Sequence, residues 1–464
     1  MTLRSFRNVP GPRSLAAHWD LFHRRYHYGE VLREVSDRYG DVARLPFIGS
    51  KTILLSHPDD IQAVIASKTQ YFRIFGQDML RRLTSWGILA TEGQIHDDNR
   101  GKLMLAMRKV LSRRVPEVAA QACRRQLSGM RNGDVVDLDH VARDVALDVA
   151  ASLLYPPDFD DTASRIGHGE FGRLVSRSSV WLLGFPPAIQ WTAFMLDLPR
   201  TVRAVRLQQQ MRRQVGATIA RARAIGQSGP PRDLLSLLAD GSEIGGPMAQ
   251  EFLADNILNM LLAGYETTRN ALAWALWEAA HDESLQARLA AEGATLPDDP
   301  FAHEAWMNDA HWTDATLRET IRLYPSVWTL SRRAISDYRI GDYVFSAGTV
   351  FLTSQWVTHR DPRWFPDPLR FDPGRWERER EAHAAAASLA REAGVKRPSF
   401  AYFPFGGGNR FCIGKATFEL EGTMLLASFF RDWIAEPLPE CDPRPEFFVT
   451  MRPAGPMRVR VRRR

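Results

Sequence analysis

A cysteine that directly follows a glycine-rich loop is the first residue of this chain whose surroundings suit chemistry. The sequence FPFGGGNRFCIG carries Cys412 near its end. Consecutive glycines let the backbone reach positive φ and approach a bulky group closely. A helical pattern begins at Lys415, and the partial positive charge of a helix N-terminus favours the thiolate that a metal requires. Taken alone, this cysteine is more typical of a buried thiol in a tight turn, whereas its neighbours favour a metal ligand.

A second group of polar residues interrupts a long apolar pattern. That pattern predicts a buried central helix over about residues 248–281, roughly 50 Å long. The sequence LLAGYETTRN within it contains Gly264, and glycine costs about 1 kcal/mol relative to alanine inside a helix. Thr267 can bond the carbonyl of Ala263 and loosen the helix, which would leave a dent lined by a hydroxyl and the Glu266 carboxylate. A helix bend with an exposed polar edge explains the segment equally well.

Together, the two segments resemble the signatures of cytochromes P450. The haem-binding signature of that family has five fixed positions, and Phe405, Gly408, Arg410, Cys412 and Gly414 meet all of them. The resemblance implies haem b (iron protoporphyrin IX) with the Cys412 thiolate as the iron ligand, which favours O–O bond cleavage. Backbone N–H groups beyond the cysteine should bond the sulfur, and Phe405 should keep water away from it. There is no C-x-x-C-H motif, so the haem should be held without thioether links.

The helical segment resembles the oxygen-activation motif of the same family. In that motif a small residue and a glycine precede an acid and a threonine, and the matching residues are Ala263, Gly264, Glu266, Thr267 and Thr268. By this resemblance Thr267 stabilises the activated oxygen at the iron. Glu266 would relay protons to it through water, which is general acid catalysis.

Three charged residues resemble the structural ion cluster of the family. Glu319 and Arg322 stand three apart on one predicted helix face and can pair. They match the family's E-x-x-R motif, and Arg375 in FDPGRW resembles the third member. We expect a buried network that fixes the cysteine loop and does not touch the substrate.

Further basic residues are candidates to hold the haem. Arg410 and Arg332 should pair with the propionates, because a guanidinium suits a carboxylate. His96 and Arg100 lie one helical turn apart in GQIHDDNRGK; the family often has Trp where His96 stands, and a core or surface histidine is the alternative interpretation. The residues expected to contact the cofactor are His96, Arg100, Ala263, Arg332, Phe405, Gly406, Arg410, Cys412 and Gly414.

The pocket and the partners follow from the resemblance. Residues expected to line the pocket are Trp86, Trp181, Phe185, Leu262, Trp328 and Phe448. They are apolar, which suits a hydrophobic small molecule such as a lipid, a terpene or a polyketide. Oxygen activation needs two electrons and no flavin or iron–sulfur domain is recognisable, so we expect a separate ferredoxin or flavodoxin with its reductase. Basic side chains that could receive it are Arg108, Lys109, Arg113, Arg114 and Lys415, although a solvated helix face is the alternative.

Composition narrows the class of protein. The chain has 464 residues, of which 45% are hydrophobic and 25% charged, and its net charge is +6. This is ordinary globular composition, and both signs are spread along the chain, so we expect no nucleic-acid partner. Three cysteines argue against a disulfide scaffold and fit a reducing compartment. The N-terminal sequence has no apolar run long enough for a membrane span or a signal peptide, so we expect a soluble, cytoplasmic protein.

The pattern of elements predicts a mostly α fold with a minor β region. The resemblance implies the cytochrome P450 fold, a single triangular α-rich domain over residues 1–464 with the long helix over the haem. About 1–90 should hold an N-terminal helix and a small β region, and about 91–464 the helical haem-binding core. Two local predictions are that Ser56 caps a helix and that the final RVRVRRR is a strand that frays into a charged tail. The apolar segment 174–200 predicts two helices joined by a lid-like loop.

The function implied is a monooxygenase. It would insert one oxygen atom from O2 into an apolar substrate by hydroxylation, in one or several steps, or by epoxidation, in secondary metabolism. One alternative is a haem-thiolate enzyme that uses peroxide or rearranges its substrate without a reductase. Such enzymes usually lack the acid–threonine pair, which here is Glu266 and Thr267. A non-catalytic haem protein that senses gas or carries haem is a further alternative, but it needs neither that pair nor a large apolar pocket.

Overall fold

The fold is described from a computed structural model of the chain. The described residues are 4–13, 17, 19–20, 23–24, 27–47, 49–67, 71–75, 86–156, 198–225, 233–241, 246–302, 306–388 and 397–464. Trp181 and Phe185 of the predicted pocket, and nearly all of the predicted helix–loop–helix segment 174–200, lie outside these residues.

Helices dominate the described chain, which confirms the predicted fold class. They are α1 (Tyr28–Tyr39), α2 (Pro58–Ile65), α3 (Gly93–Arg113), α4 (Val115–Leu127), α5 (Leu138–Leu154), α6 (Leu198–Ile225), α7 (Leu234–Asp240), α8 (Gln250–Ala280), α9 (Glu283–Ala294), α10 (His311–Leu323), α11 (Gln355–Thr358), α12 (Gly374–Ser388) and α13 (Lys415–Asp432).

The strands are short and form small sheets. They are β1 (Arg4–Ser5), β2 (Val42–Arg44), β3 (Thr52–Leu55), β4 (Phe72–Ile74), β5 (Val135–Asp137), β6 (Leu330–Ala334), β7 (Tyr338–Ile340), β8 (Tyr343–Phe345), β9 (Val350–Thr353), β10 (Trp433–Pro437), β11 (Arg444–Phe447), β12 (Met451–Ala454) and β13 (Arg458–Arg463). Within the described residues, the largest sheet has the order β2-β3-β9-β6-β4. Others have the orders β1-β8-β7 and β10-β13-β5, and β11 pairs with β12.

The long helix α8 forms the centre of the helical core. It has 31 residues, which corresponds to about 46 Å. It packs against α5, α6 and α10. Between Leu253 and Ala280, the apolar residues on most of its faces are buried. A helix that is apolar around its circumference must be covered on all sides. The prediction of a buried central helix is therefore correct, with bounds that differ by one or two residues.

Two predictions about element ends are wrong. The N-cap of α2 is His57 and not Ser56, since His57 Nδ1 accepts a hydrogen bond from the N–H of Asp59 at 3.3 Å. The C-terminal sequence is not a fraying tail, because β13 pairs with β10 on one side and β5 on the other, as far as Arg463. Its valines at 459 and 461 are fully buried. An alternating Arg-Val pattern suits a half-buried strand, and only the neighbouring strands show that it is central.

A buried acid lies in α13, behind the cysteine loop. Glu421 is 3% exposed and faces the core near Cys123 of α4. Burial raises the pKa of the Cys123 thiol, and the nearby Glu421 carboxyl raises it further. Burial alone raises the pKa of Glu421 to about 8. A buried carboxyl group is cheaper to keep protonated than ionised, so Glu421 is neutral over most of the physiological pH range.

Replacing Glu421 with Gln should make the protein more stable at alkaline pH. The folded pKa of about 8 exceeds the ordinary value of 4.5, so the folded state retains a proton that the unfolded chain has released. The stability contributed by this group is therefore lost as the pH rises from about 4.5 through 8, by about 5 kcal/mol. We expect Glu421→Gln to remove this loss in thermal unfolding measured across pH. The exposed Glu440→Gln is the control, and parallel profiles of wild type and Glu421→Gln would contradict the prediction.

Candidate active site

The glycine loop before Cys412 adopts the conformations that its sequence predicts at two of three positions. Gly406 and Gly408 have φ of 71° and 63°, whereas Gly407 is extended with φ of −168°. A Cβ on Gly408 would lie 2.9 Å from Cα of Ala66, and that contact is with backbone, which cannot move aside easily. Glycine is therefore required at 408 by both conformation and space.

Cys412 lies between this loop and α13. Its N–H donates to the carbonyl of Phe405 at 3.0 Å, which closes the loop. The helix begins at Lys415 with Gly414 as its N-cap, and the N–H groups of both residues hydrogen-bond the sulfur. The phenyl ring of Phe405 packs on Phe418 of α13, with ring centroids 5.9 Å apart.

The helix N-terminus favours the Cys412 thiolate as predicted, but burial acts on the thiol pKa in the opposite direction. The side chain is accessible, yet surrounding protein is close enough that burial raises its pKa above the ordinary value. The two N–H groups and the positive charge of Arg100 act in the opposite direction without outweighing burial. The helix N-terminus therefore does not by itself produce a thiolate. A metal ion at the sulfur would deprotonate the thiol outright.

Three arginines approach the site from different elements. Arg332 of β6 and Arg410 of the cysteine loop repel each other. Burial lowers the pKa of Arg332. Burial, together with the repulsion from Arg332, lowers the pKa of Arg410 to about 10. Arg410 donates to the carbonyls of Ile88 and Thr91 at 3.1 and 2.6 Å. Arg100 donates to the carbonyl of Phe411 at 2.6 Å, and burial lowers its pKa. In the described part of the chain, none of the three forms an ion pair with a carboxylate.

His96 has a partner that the sequence interpretation did not include. It is buried, and its Nδ1 lies 2.8 Å from Oδ1 of Asp97. Since a carboxylate only accepts, Nδ1 carries the proton, and a neutral ring then offers Nε2 as an acceptor. Burial lowers the pKa of His96, which favours this neutral form. Asp97 also accepts from Asn409 at 2.5 Å and so connects α3 to the cysteine loop.

The predicted oxygen-activation segment forms an accessible face on the otherwise buried α8. Ala263 and Gly264 are exposed, and a Cβ on Gly264 would meet no atom within 4 Å. Thr267 Oγ1 donates to the carbonyl of Ala263 at 2.5 Å, as predicted. Leu262 beside them is half-buried. The helix thus presents small residues and one hydroxyl together.

Two residues from outside α8 hold this segment, and no sequence pattern indicated either of them. Thr450 Oγ1 donates to Oε1 of Glu266 at 2.8 Å. Ser326 Oγ donates to the carbonyl of Thr267 at 2.7 Å. Both bonds join parts of the chain that are far apart in sequence, so only tertiary packing brings them together.

The charged cluster around Glu319 is buried and dense. Glu319 and Arg322 are fully buried and Arg375 is 6% exposed. Arg322 donates to both carboxylate oxygens of Glu319 at 2.9 and 2.8 Å, and Arg375 donates to Oε1 at 2.9 Å. Trp376 Nε1 and the N–H of Asp372 also donate to Glu319, at 3.0 and 2.9 Å. Good geometry and additional hydrogen bonds are what a buried ion pair needs.

The cluster is connected to the cysteine loop through His359. Arg322 Nη1 donates to the His359 carbonyl at 2.8 Å. The imidazole Nε2 of His359 accepts from the N–H of Phe403 at 3.0 Å. The carbonyl of Phe403 accepts from Gly406 at 2.9 Å within the glycine loop. The cluster therefore supports the loop without contacting Cys412.

The predicted pocket residues do not all face an open space. Trp328 is 2% exposed, stacks on Tyr28 and donates from Nε1 to the carbonyl of Phe448 at 2.8 Å. Phe448 is 4% exposed, whereas its neighbour Val449 is 44% exposed and Trp86 is 50% exposed. Trp328 and Phe448 thus support the turn that carries Val449.

These residues fit an iron porphyrin. The Cys412 sulfur has an accessible side and N–H donors, which suits an axial thiolate ligand. Arg332 and Arg410 place two half-buried positive charges near each other, and two propionates would offset the cost of that repulsion. The face at Ala263 and Gly264 leaves room for a flat group and a small ligand.

Comparisons with known proteins agree with this fit. The cytochrome P450 family model matches residues 9–460. A putative cytochrome P450 132 of Mycobacterium bovis is 27% identical, over 92% of this chain and 91% of that protein. Cyclooctatin synthase of Streptomyces melanosporofaciens is 26% identical, over 91% and 88%, and pentalenene oxygenase of Streptomyces avermitilis is 24% identical, over 98% and 96%. A solved structure of retinoic acid bound cyanobacterial CYP120A1 matches the fold with a TM-score of 0.79 and 21% identity, over 98% of this chain and 99% of that one.

The chain belongs to the cytochrome P450 family. Its cofactor is haem b, bound through the Cys412 thiolate, and its class is that of an oxidoreductase with monooxygenase activity. The prediction of family, fold, cofactor and enzyme class is confirmed. None of the helices in the described part of the chain combines the length and apolar composition that a membrane span requires.

Proposed function

We propose that this protein inserts one oxygen atom from O2 into an apolar small molecule of secondary metabolism, by hydroxylation or epoxidation. The observation that carries the proposal is the Glu266–Thr267 pair beside the accessible face of α8. When bound, the haem supplies the reduction of O2 and the transfer of one oxygen atom. The second oxygen atom leaves as water, so two protons must reach the site.

The residues of α8 and the cysteine loop divide the remaining work. Ala263 and Gly264 leave space for a small molecule beside the helix, and Thr267 offers a hydroxyl there. Glu266 can take up and release protons, and a positioned acid contributes about 10²- to 10⁴-fold to such steps. Arg100, Arg332 and Arg410 would hold the propionates, while Phe405 covers one side of the cysteine loop.

The substrate class is supported by the pocket composition and by the relatives. Leu262, Val449 and Trp86 are apolar and at least partly accessible. Relatives that align over most of the chain include cyclooctatin synthase and pentalenene oxygenase, which modify terpenes. We therefore favour a terpene or a similarly apolar compound, because an apolar pocket gains most from burying apolar surface.

Electrons must come from a separate protein under this proposal. Along α3 and at its end, Arg108 is exposed and Lys109 and Arg114 are half-exposed. Lys415, at the start of α13, forms an ion pair with Glu419 at 2.6 Å. A basic face of this kind would steer an acidic ferredoxin or flavodoxin. The cysteines at 123, 412 and 441 are all free, which suits a reducing compartment, and we propose that the enzyme works in the cytoplasm.

The proposal is tested by reconstituting turnover. The holoprotein, a ferredoxin and its reductase are mixed with candidate terpenes chosen by the shift that they cause in the ferric haem spectrum. We expect consumption of reduced nicotinamide that depends on the candidate and yields a product one oxygen atom heavier. Turnover with peroxide alone, and none with the reductase system, would favour the peroxide-using alternative.

Thr267→Ala should separate electron consumption from product formation. The variant loses the hydroxyl that now donates to Ala263, so haem should stay bound while the yield of product per electron pair falls at least about tenfold. Thr423→Ala is a matched control, because Thr423 makes the same bond to the carbonyl of Glu419 at 2.7 Å in α13. Unchanged coupling in Thr267→Ala would contradict the proposed role.

A further inference from the structure

The geometry points to Thr450 as the residue that positions Glu266 for proton delivery. Thr450 lies in the turn between β11 and β12, 184 residues from Glu266, and donates from Oγ1 to Oε1 of that carboxylate at 2.8 Å. Thr450 is 7% exposed and Glu266 is half-buried, so the bond is partly shielded from solvent. This inference rests on the proposed function of Glu266 and adds a second residue to the proton-delivery apparatus.

The turn that carries Thr450 is held against α8 by other bonds. The N–H of Met451 donates to the Ser326 carbonyl at 2.8 Å, and the Ser326 hydroxyl donates to the Thr267 carbonyl at 2.7 Å. Trp328 Nε1 donates to the Phe448 carbonyl at 2.8 Å on the other side of the turn. Because these bonds hold the turn against α8, the Thr450 hydroxyl is presented to Glu266 at a defined position.

The direction of the hydrogen bond is also fixed. Asn270 Nδ2 lies 3.5 Å from Thr450 Oγ1 and donates to it, and an ionised carboxylate can only accept. The Thr450 hydrogen is therefore directed to Glu266, in a short chain whose members polarise one another. The nearest positive charge on the same helix, Arg269, is engaged by Asp139 through Nε at 2.8 Å and Nη2 at 2.5 Å.

Several charged groups of the described residues also act on Glu266. Arg269 attracts the carboxylate, and the pKa of Tyr265 is raised by burial first and in part by Glu266. From α5, Arg143 and Asp139 face Arg269 and Tyr265. These groups change the electrostatic potential at Glu266, whereas the Thr450 hydroxyl makes a direct, directional hydrogen bond to its carboxylate.

The test compares Thr450→Val, which keeps the shape and removes the hydroxyl, with Thr450→Ser, which restores it. Substrate-free holoprotein is reduced with dithionite and mixed with air-saturated buffer, and reoxidation is followed at the Soret band from pH 6 to 9. Because this reaction draws protons to the oxygen site, we expect Thr450→Val to slow it about three- to tenfold and to shift its pH midpoint by about one unit. Thr450→Ser should stay within about twofold of wild type.

Two further variants separate the possible outcomes. In Glu266→Gln, reoxidation should be slow and its rate should no longer depend on pH. Thr353→Val removes a fully buried hydroxyl that donates to the Leu330 carbonyl at 3.3 Å in the main sheet, and it should behave as wild type. Wild-type rates in Thr450→Val beside a slow Glu266→Gln would overturn the role of Thr450 alone. Wild-type reoxidation rates in both Thr450→Val and Glu266→Gln would also overturn the proposed role of Glu266 in the proton relay.

An infrared measurement reports on the carboxyl group directly. The protonated C=O band that disappears in Glu266→Gln is titrated in the ferric protein. In Thr450→Val its midpoint should move upward by about one pH unit, because the lost donor stabilised the anion. A midpoint equal to that of wild type would show that the hydroxyl does not act on Glu266, whatever the reoxidation rates are.

Discussion

Cys412→Ala should abolish the thiolate-type Soret band of the reduced carbon monoxide complex. The thiolate-type band requires a sulfur ligand to the iron, and the N–H groups of Gly414 and Lys415 already bond to the Cys412 sulfur. Without it, any haem that remains bound has lost its thiolate, and monooxygenase activity should fall below detection. The measurement is the carbon monoxide difference spectrum of purified protein, with haem content determined in parallel.

Cys441→Ala is the matched control for this experiment. Cys441 is also free but is buried at 8% exposure, and its replacement should leave the band in place. Retention of the thiolate-type band in Cys412→Ala would refute the ligand assignment and, with it, the interpretation of the whole site.

Glu319→Gln should cause the second largest effect, on stability and haem retention. Two buried guanidinium groups, of Arg322 and Arg375, would lose the negative charge that both now contact. Breaking a buried ion pair from one side costs about 3–5 kcal/mol, because a buried charge is left uncompensated. We expect a much lower thermal midpoint and a loss of bound haem, since the cluster supports the cysteine loop through His359.

The control is the same substitution in a half-exposed pair of the same spacing. Glu30 and Arg33 also stand three apart, with N–O separation 2.9 Å, but are 36% and 34% exposed. Glu30→Gln should change stability by no more than about 1 kcal/mol. If Glu319→Gln retained wild-type stability and haem, the buried cluster would not be what supports the loop.

Features that depend on near neighbours in the chain could be predicted from the sequence. The Glu319–Arg322 pair and the Thr267–Ala263 bond lie within one helical turn, so helix geometry alone brings them together. The cysteine loop is also local, because Gly408 needs positive φ whatever surrounds it. The helix N-terminus near Cys412 and its effect on the thiol pKa were predicted correctly, whereas the larger and opposite effect of burial was not, since burial depends on the whole fold.

The sequence by itself thus determined the family, the cofactor ligand and the long helix that lies at the centre of the core. Only the tertiary structure decided which distant groups meet: Asn409 with Asp97, 312 residues apart, and Thr450 with Glu266. It also decided that the arginine-rich C-terminus is a central strand between β10 and β5. The physical reason is that periodicity fixes the conformation of a segment and the face that it buries, whereas the partner of that face is set by the packing of all elements together.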